Sequence, residues 1–223
     1  MLVIKKISVF LMLVVGVFSL HSQAAAANDK ALFDMKDPYA MIKNASEATF
    51  LRFREENALI KKDLNHLKVI VEEELMPYIN HKRAAASVLG NKHYKQAKKD
   101  KVFDDFSEAF RSYLILTYAN IFTLYDNQKI VYAPAEDITG KKVVTVNVKI
   151  IDAQRPPIAI DFKLRKSKKS GNWKAYDMVA GNGLSMVSTK AKEFDSIINK
   201  KGLNYLISQL SKKATDSVEA KAN

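Results

Sequence analysis

The 223-residue sequence contains no cysteine. That excludes disulfides, thiol chemistry and cysteine metal sites, and leaves the fold to its hydrophobic core. Glycine numbers seven and proline five, so the few breakers present mark element boundaries. Histidine numbers four. His21 falls in an N-terminal apolar segment, and His66, His81 and His93 lack metal-ligand spacing, which reads them as surface or edge residues. There is no glycine-rich phosphate loop and no Gly-x-Ser-x-Gly elbow. Ser185 follows a Gly-x step but has no histidine near it in sequence, and reads as a turn or capping serine. No internal repeat and no linker divides the chain.

Acidic residues are also in short supply. The 36 Lys and Arg against 24 Asp and Glu give a formal charge of +12 and a pI near 9.6, which calls for an anionic partner. The N-terminus narrows the choice. Lys5 and Lys6 precede an apolar run, Ile7 to Leu20, followed by the small residues of Ser22-Gln23-Ala24 and Ala25-Ala26-Ala27. This is the order of a secretory signal, and the run is short for a membrane span. Cleavage is expected after one of Ala24 to Ala27, which makes this an exported protein. Removal of residues 1–27 takes two of the basic residues and none of the acidic ones, leaving 34 against 24, a net +10. Export argues against nucleic acid and for membrane lipid.

The dominant element is the stretch Asp100 to Tyr125. Val102, Phe103, Phe106, Phe110, Tyr113, Leu114, Thr117, Tyr118, Ile121 and Tyr125 recur at helical steps. Asp100 reads as its N-cap and Asp126-Asn127 as its exit. Ile115, Leu116, Phe122 and Leu124 widen the stripe, so this helix must be covered on several sides. The strand-rich segment after it can supply that cover, as a filled core or with a cavity left between.

Before it, Asp37-Pro38 starts a helix running to about Glu56. A second is expected from Asp63 to about Leu75, with Glu72-Glu73-Glu74 as a solvated turn and Pro77 as its stop. A third runs from His81 to Leu89 and stops at Gly90. Lys92, Lys95, Lys98, Lys99 and Lys101 then form a basic approach. After Asn127 the period becomes two. Strands are expected at Lys129–Ala133, Val144–Ile150, Ile158–Leu164 and Trp173–Ala180, with a basic connection from Arg165 to Asn172. Their short connections imply an antiparallel meander. A helix from Ser188 to Asn199, a break at Gly202 and a helical segment to Leu210 complete an α+β fold. Residues 28–212 are expected to form one domain and 213–223 a polar, flexible tail. Among candidate catalytic groups, Asp161 falls on the outward register of its strand, whereas Asp177 shares the register of Trp173. A partly buried Asp177 is either a general base or a hydrogen-bonding anchor for a neighbouring loop.

One order of motifs is specific: Leu75-Met76-Pro77-Tyr78, Val88-Leu89-Gly90, Phe103 to Phe110, Tyr118-Ala119, Arg155-Pro156-Pro157, Trp173-Lys174-Ala175-Tyr176-Asp177-Met178, Gly183-Leu184-Ser185-Met186, Ser188-Thr189-Lys190 and Lys201-Gly202-Leu203. In this the chain resembles the MlaC (toluene-tolerance, Mla pathway) family of periplasmic phospholipid carriers, from about residue 37 to 210. It departs from the family in a longer turn at Gly181-Asn182-Gly183 and in His93-Tyr94, where many members carry Trp-Arg.

The resemblance implies a curved four-stranded NTF2-like sheet decorated by helices, around an apolar pocket for phospholipid tails. It implies lipid-binding roles for Tyr118 and Phe122 on the helix and for Val146, Val148, Ile160 and Phe162 on the sheet. Ile158 and Leu184 would sit near the mouth. It also implies bound phospholipid in place of any cofactor, no metal, and no catalytic residue. The implied partners are an outer-membrane lipoprotein–porin complex and an inner-membrane ABC transporter with a hexameric lipid-binding ring. Lys92, Lys95, Lys98, Lys99, Arg165, Lys166, Lys168 and Lys169 are candidate docking charges. The alternatives are an NTF2-like isomerase or hydrolase using Asp177 with Tyr118, and an interaction protein with a filled core.

Overall fold

The computed structural model describes residues 32–125, 128–152, 156–181 and 183–219. The expected signal peptide and its cleavage site, the Asp126-Asn127 exit, Arg155 and Asn182 lie outside the described residues.

Helix α1 (Pro38–Glu55) begins at Asp37, whose carboxylate accepts from the backbone N–H of Tyr39 (2.8 Å) and Ala40 (3.1 Å). A short α2 (Asn57–Lys62) follows, without a sequence signal of its own. The single helix expected from Asp63 is three pieces: α3 (His66–Ile70), a π-helical turn (Val71–Leu75) and a 3-10 turn (Met76–Tyr78). The π turn corrects the reading of the acidic run. Its i→i+5 winding shifts each side chain from its α-helical position, and Glu74 is only 2% exposed. Arg52 donates to Glu56 (2.6 Å), Glu73 and Glu74 (3.2 Å), His66 pairs with Glu56, and Arg111 donates to Glu72 (3.1 Å). The run is an ion-pair network rather than a solvated turn.

Helix α4 (His81–Lys99) breaks at Gly90, where φ is +63°, and then resumes through the basic approach. The glycine is a kink rather than a stop. Asp100 closes α4 instead of opening the next helix; its carboxylate accepts from Gln96 Nε2 (2.7 Å). The dominant helix α5 is therefore Phe103–Phe122, shorter than its apolar run, with no side-chain cap.

The strands are β1 (Lys129–Tyr132), β2 (Val143–Ile151), β3 (Ile158–Lys166) and β4 (Trp173–Ala180), an antiparallel meander in the order β1-β2-β3-β4. Val144, Val146 and Val148 on β2 are buried while Val143, Thr145, Asn147 and Lys149 are exposed, the alternation of a sheet covered on one face. A register shift at Lys163/Leu164 pairs Leu164 with Ala175 but Lys163 with Asp177. Asp177 is thereby displaced from the register of Trp173 that simple alternation assigns it. Helices α6 (Met186–Lys201) and α7 (Leu203–Ala214) meet at Gly202, where φ is +84°. Beyond α7 the chain is anchored: Val218 is buried, its N–H donates to Asn65 Oδ1 (3.1 Å), and that of Glu219 donates to Asn120 Oδ1 (3.1 Å).

Among the described residues three apolar clusters form the core. Phe103, Phe106, Phe110 and Leu114 of α5 pack with α4, α6 and α7, where Phe194 stands edge-on to Phe106 and Phe110. Leu116 and Ala119, from another side of α5, pack with Phe53, Leu67, Ile70 and Val218. The third cluster joins Met41, Ile42 and Ala45 of α1 to the inner face of the sheet around Trp173. The cover expected from the strands thus comes from helices: α5 packs closely on α4 and α7, and its contacts with the sheet are sparse.

Candidate functional site: an apolar cavity between helix and sheet

The gap between α5 and the sheet is a cavity. Its empty space is about 1140 Å³ with the part open to solvent included. Leu114, Tyr118, Ile121 and Phe122 of α5 form one wall, and Val148, Ile150, Ile160, Phe162 and Met178 of the inner sheet face form the other. Helix α1 closes a side with Ile42, Ala45, Ser46, Thr49 and Phe50; the turn before α4 adds Leu75, Tyr78 and Ile79. The sequence gives no direct sign of these α1 and turn residues, because α1 reads only as a core helix. The small side chains of Ala45 and Ala84, both lining, are the one hint of space beside it.

Of the residues singled out beforehand, Tyr118, Phe122, Val148, Ile160 and Phe162 line the cavity. Val146 is on the same sheet face but is packed among Met41, Ile42 and Trp173, outside the lining. Ile158 pairs across the sheet with the lining residue Ile150 yet is 49% exposed. Leu184 is 59% exposed, two residues before the lining Met186. Ile121 both lines the cavity and is 41% exposed, which marks a place where it opens.

Asp177 is the one carboxylate among the described residues of the lining. Its Oδ1 accepts from the backbone N–H of Met178 (2.9 Å) and Val187 (3.0 Å). Its Oδ2 accepts from Ser185 Oγ (2.7 Å) and lies 3.5 Å from Lys163 Nζ. Ser185 in turn is the N-cap of α6, accepting from the N–H of Ser188 (3.0 Å). Asp177 thereby acts as a loop anchor, fastening the start of α6 to the sheet. Ser185→Ala removes the cap and one partner of a buried carboxylate, so a loss of about 1–2 kcal/mol is expected in chemical denaturation. The Tyr118 phenol is pushed above its ordinary value by burial first and by the charge of Asp177 second, which keeps it neutral at physiological pH.

The other charged candidates fall on two separate elements. Lys92, Lys95, Lys98 and Lys99 are exposed on the second half of α4; Lys92 reaches Asn199 Oδ1 (3.3 Å) and Lys98 lies over the Phe103 ring (5.3 Å). Arg165 and Lys166 end β3, with Lys166 over the Trp173 ring (5.8 Å), and Lys168 and Lys169 are exposed in the connection to β4. Of the histidines, His93 is not at the surface: it is 8% exposed and bonds Asp195 Oδ1 (2.8 Å), tying α4 to α6. Among the described residues no three His, Asp or Glu side chains gather as a metal site, and no helix is long and apolar enough to cross a membrane.

Residues 43–212, the span that carries the cavity walls, match the family model described as MlaC protein. The chain belongs to the MlaC family. A Haemophilus influenzae relative, named intermembrane phospholipid transport system binding protein MlaC, is 35% identical over 185 residues, or 81% of this chain and 84% of that one. Among solved structures, a phospholipid-binding protein from Ralstonia solanacearum, determined with a phospholipid bound, superposes with a TM-score of 0.68. It is 24% identical and covers 80% of this chain and 97% of its own. That similarity establishes the MlaC α+β fold, an open four-stranded antiparallel sheet with helices.

Proposed function

We propose that this protein is a periplasmic phospholipid carrier that holds acyl chains in the cavity between α5 and the sheet. The cavity carries the reading: its walls are almost wholly apolar, and the carboxylate among them is already engaged. Tyr118, Phe122, Val148, Ile160 and Phe162 contact the tails, with Val146 packed beside them on the same sheet face. Ile158 and Leu184 stand at strand ends beside the opening. The MlaC relative and the phospholipid in the Ralstonia protein support the same ligand class.

Each buried CH₂ stabilises by about 0.8 kcal/mol, so two tails of roughly 30 methylenes amount to about 24 kcal/mol gross. Escape through water is then too slow for transport, and handover needs a docked partner with a continuous apolar path. The partners proposed are the outer-membrane lipoprotein–porin complex and the inner-membrane ABC transporter with its hexameric ring, a route that maintains outer-membrane lipid asymmetry. Lys92, Lys95, Lys98, Lys99, Arg165, Lys166, Lys168 and Lys169 supply docking charge, and docking weakens as salt rises.

Native mass spectrometry of protein purified without detergent, followed by lipid extraction, tests the reading. A mass increment of a diacyl phospholipid is expected. A bare polypeptide that also takes up no lipid from vesicles refutes it. Ile158→Arg and Leu184→Arg are expected to lower the lipid-loaded fraction severalfold with unchanged folding; equal loading in both would remove them from the opening. The enzymatic alternative has less support. Both oxygens of Asp177 already accept hydrogen bonds that fasten the start of α6.

A further inference from the structure

The sheet has a second face, turned away from the cavity. Cross-strand register places Val131, Lys149 and Ala159 in one row of it, Asn147, Asp161 and Val179 in the next, then Thr145, Lys163 and Asp177, and finally Val143, Arg165 and Lys174. Lys129, opposite Ile151, extends it at the β1 end. Val131 and Val143 are 40% and 42% exposed, and Thr145, Asn147, Lys129 and Lys149 are exposed as well. Five basic side chains therefore share this face with the carboxylate of Asp161, which accepts from Asn147 Nδ2 (2.7 Å). Asp177 is in register with Lys163, but its buried carboxylate belongs to the cavity lining and bonds Ser185 and Val187; Lys163 Nζ, 3.5 Å away, is the cation of this face that it pairs with.

We propose that this outer sheet face lies flat on bilayers that contain anionic phospholipid. The composition decides between a lipid surface and an acidic protein. Protein interfaces are enriched in aromatic residues and arginine and depleted of lysine. Here four of the five cations are lysines, and the exposed apolar residues are valines. Lysine stems lie along such apolar surface while their ammonium groups reach outward, an arrangement that suits a plane of phosphate headgroups. Each basic residue near an anionic membrane strengthens binding about fivefold. The face is on the opposite side of the sheet from the cavity walls, so contact with a bilayer leaves the acyl-chain site unobstructed. The inference adds a resting surface to the carrier reading and rests on that reading only for its purpose.

The test is flotation of protein from the periplasmic fraction with vesicles of phosphatidylcholine alone, or of equal parts phosphatidylcholine and phosphatidylglycerol. Wild-type protein is expected to float with the mixed vesicles only, and less so at high salt. K129E/K149E is expected to bind at least about thirtyfold more weakly, while K61E/K62E, exposed on α2 and outside this face, binds like wild type. Wild-type flotation by K129E/K149E, or equal binding to both vesicle types, overturns the proposal. Phospholipid that co-purifies with K129E/K149E reports on the cavity separately, so failure of this surface is distinguishable from failure of the carrier reading.

Discussion

Ile160→Glu is expected to strip the protein of its bound phospholipid. Ile160, the third residue of β3, lines the cavity and is paired with Val148 on one side and Ala180 on the other. A glutamate there puts a carboxylate among acyl chains with no donor to meet it. An uncompensated polar group costs about 1–3 kcal/mol in protein interiors, so retention should fall about 10- to 100-fold. The fold should survive, because Ile160 belongs to none of the three packed clusters. Lipid phosphorus per mole of purified protein reads the first expectation and the melting temperature the second. Ile160→Val, which keeps the wall apolar, should load normally. Full loading of Ile160→Glu would move the acyl chains out of this cavity.

Arg52→Ala should have the largest effect on stability. Arg52 bridges α1 to the π turn, and its loss leaves Glu74, 2% exposed, without that cation. Removing one partner of a buried ion pair costs about 3–5 kcal/mol; partial exposure of Glu56 and Glu73 puts this case near the lower figure. About 3 kcal/mol corresponds to a fall in Tm of about 10 °C for a chain of this size. The network also fixes a pH dependence. Glu56 is held below the usual carboxylate value first by its hydrogen bond from Arg52 and then, against the cost of burial, by His66. A depressed carboxylate contributes stability that is present above its unfolded pKa and is lost as pH falls through its folded one. Tm should therefore drop as the protein is acidified below about pH 4.5, the unshifted Glu value, and that drop should be smaller in Arg52→Ala. Parallel curves for the two proteins would remove the Arg52–Glu56 pair as its cause.

The strands and the last two helices are legible in the sequence because each carries a strong local signal: alternation in Val144–Ile150, and a glycine at 202 that only a break requires. Errors occur where a residue serves the opposite neighbour. Asp100 precedes an apolar run but closes α4, and Gly90 interrupts a helix that then continues. The shift that displaces Asp177 lies in strand pairing, which no single strand records. Glu74 reads as solvated because three consecutive acids do so under α-helical spacing, and the π turn is set by the partners Arg52 and Arg111. The cavity has the same origin. Both of its walls are visible as apolar faces, but whether two such faces touch depends on what else holds them, and α5 is held by α4 and α7.

The arrangement of three filled clusters around a gap bears on how such a chain can change over generations. Ile121, Ile150, Ile160 and Met178 line the gap without belonging to any of the clusters. Substitutions among apolar residues of different size at these positions alter the room for cargo while the scaffold keeps its packing. Selection on what is carried is thereby separated from selection on folding, and a family can drift toward longer, shorter or more unsaturated chains without crossing an unfolded intermediate.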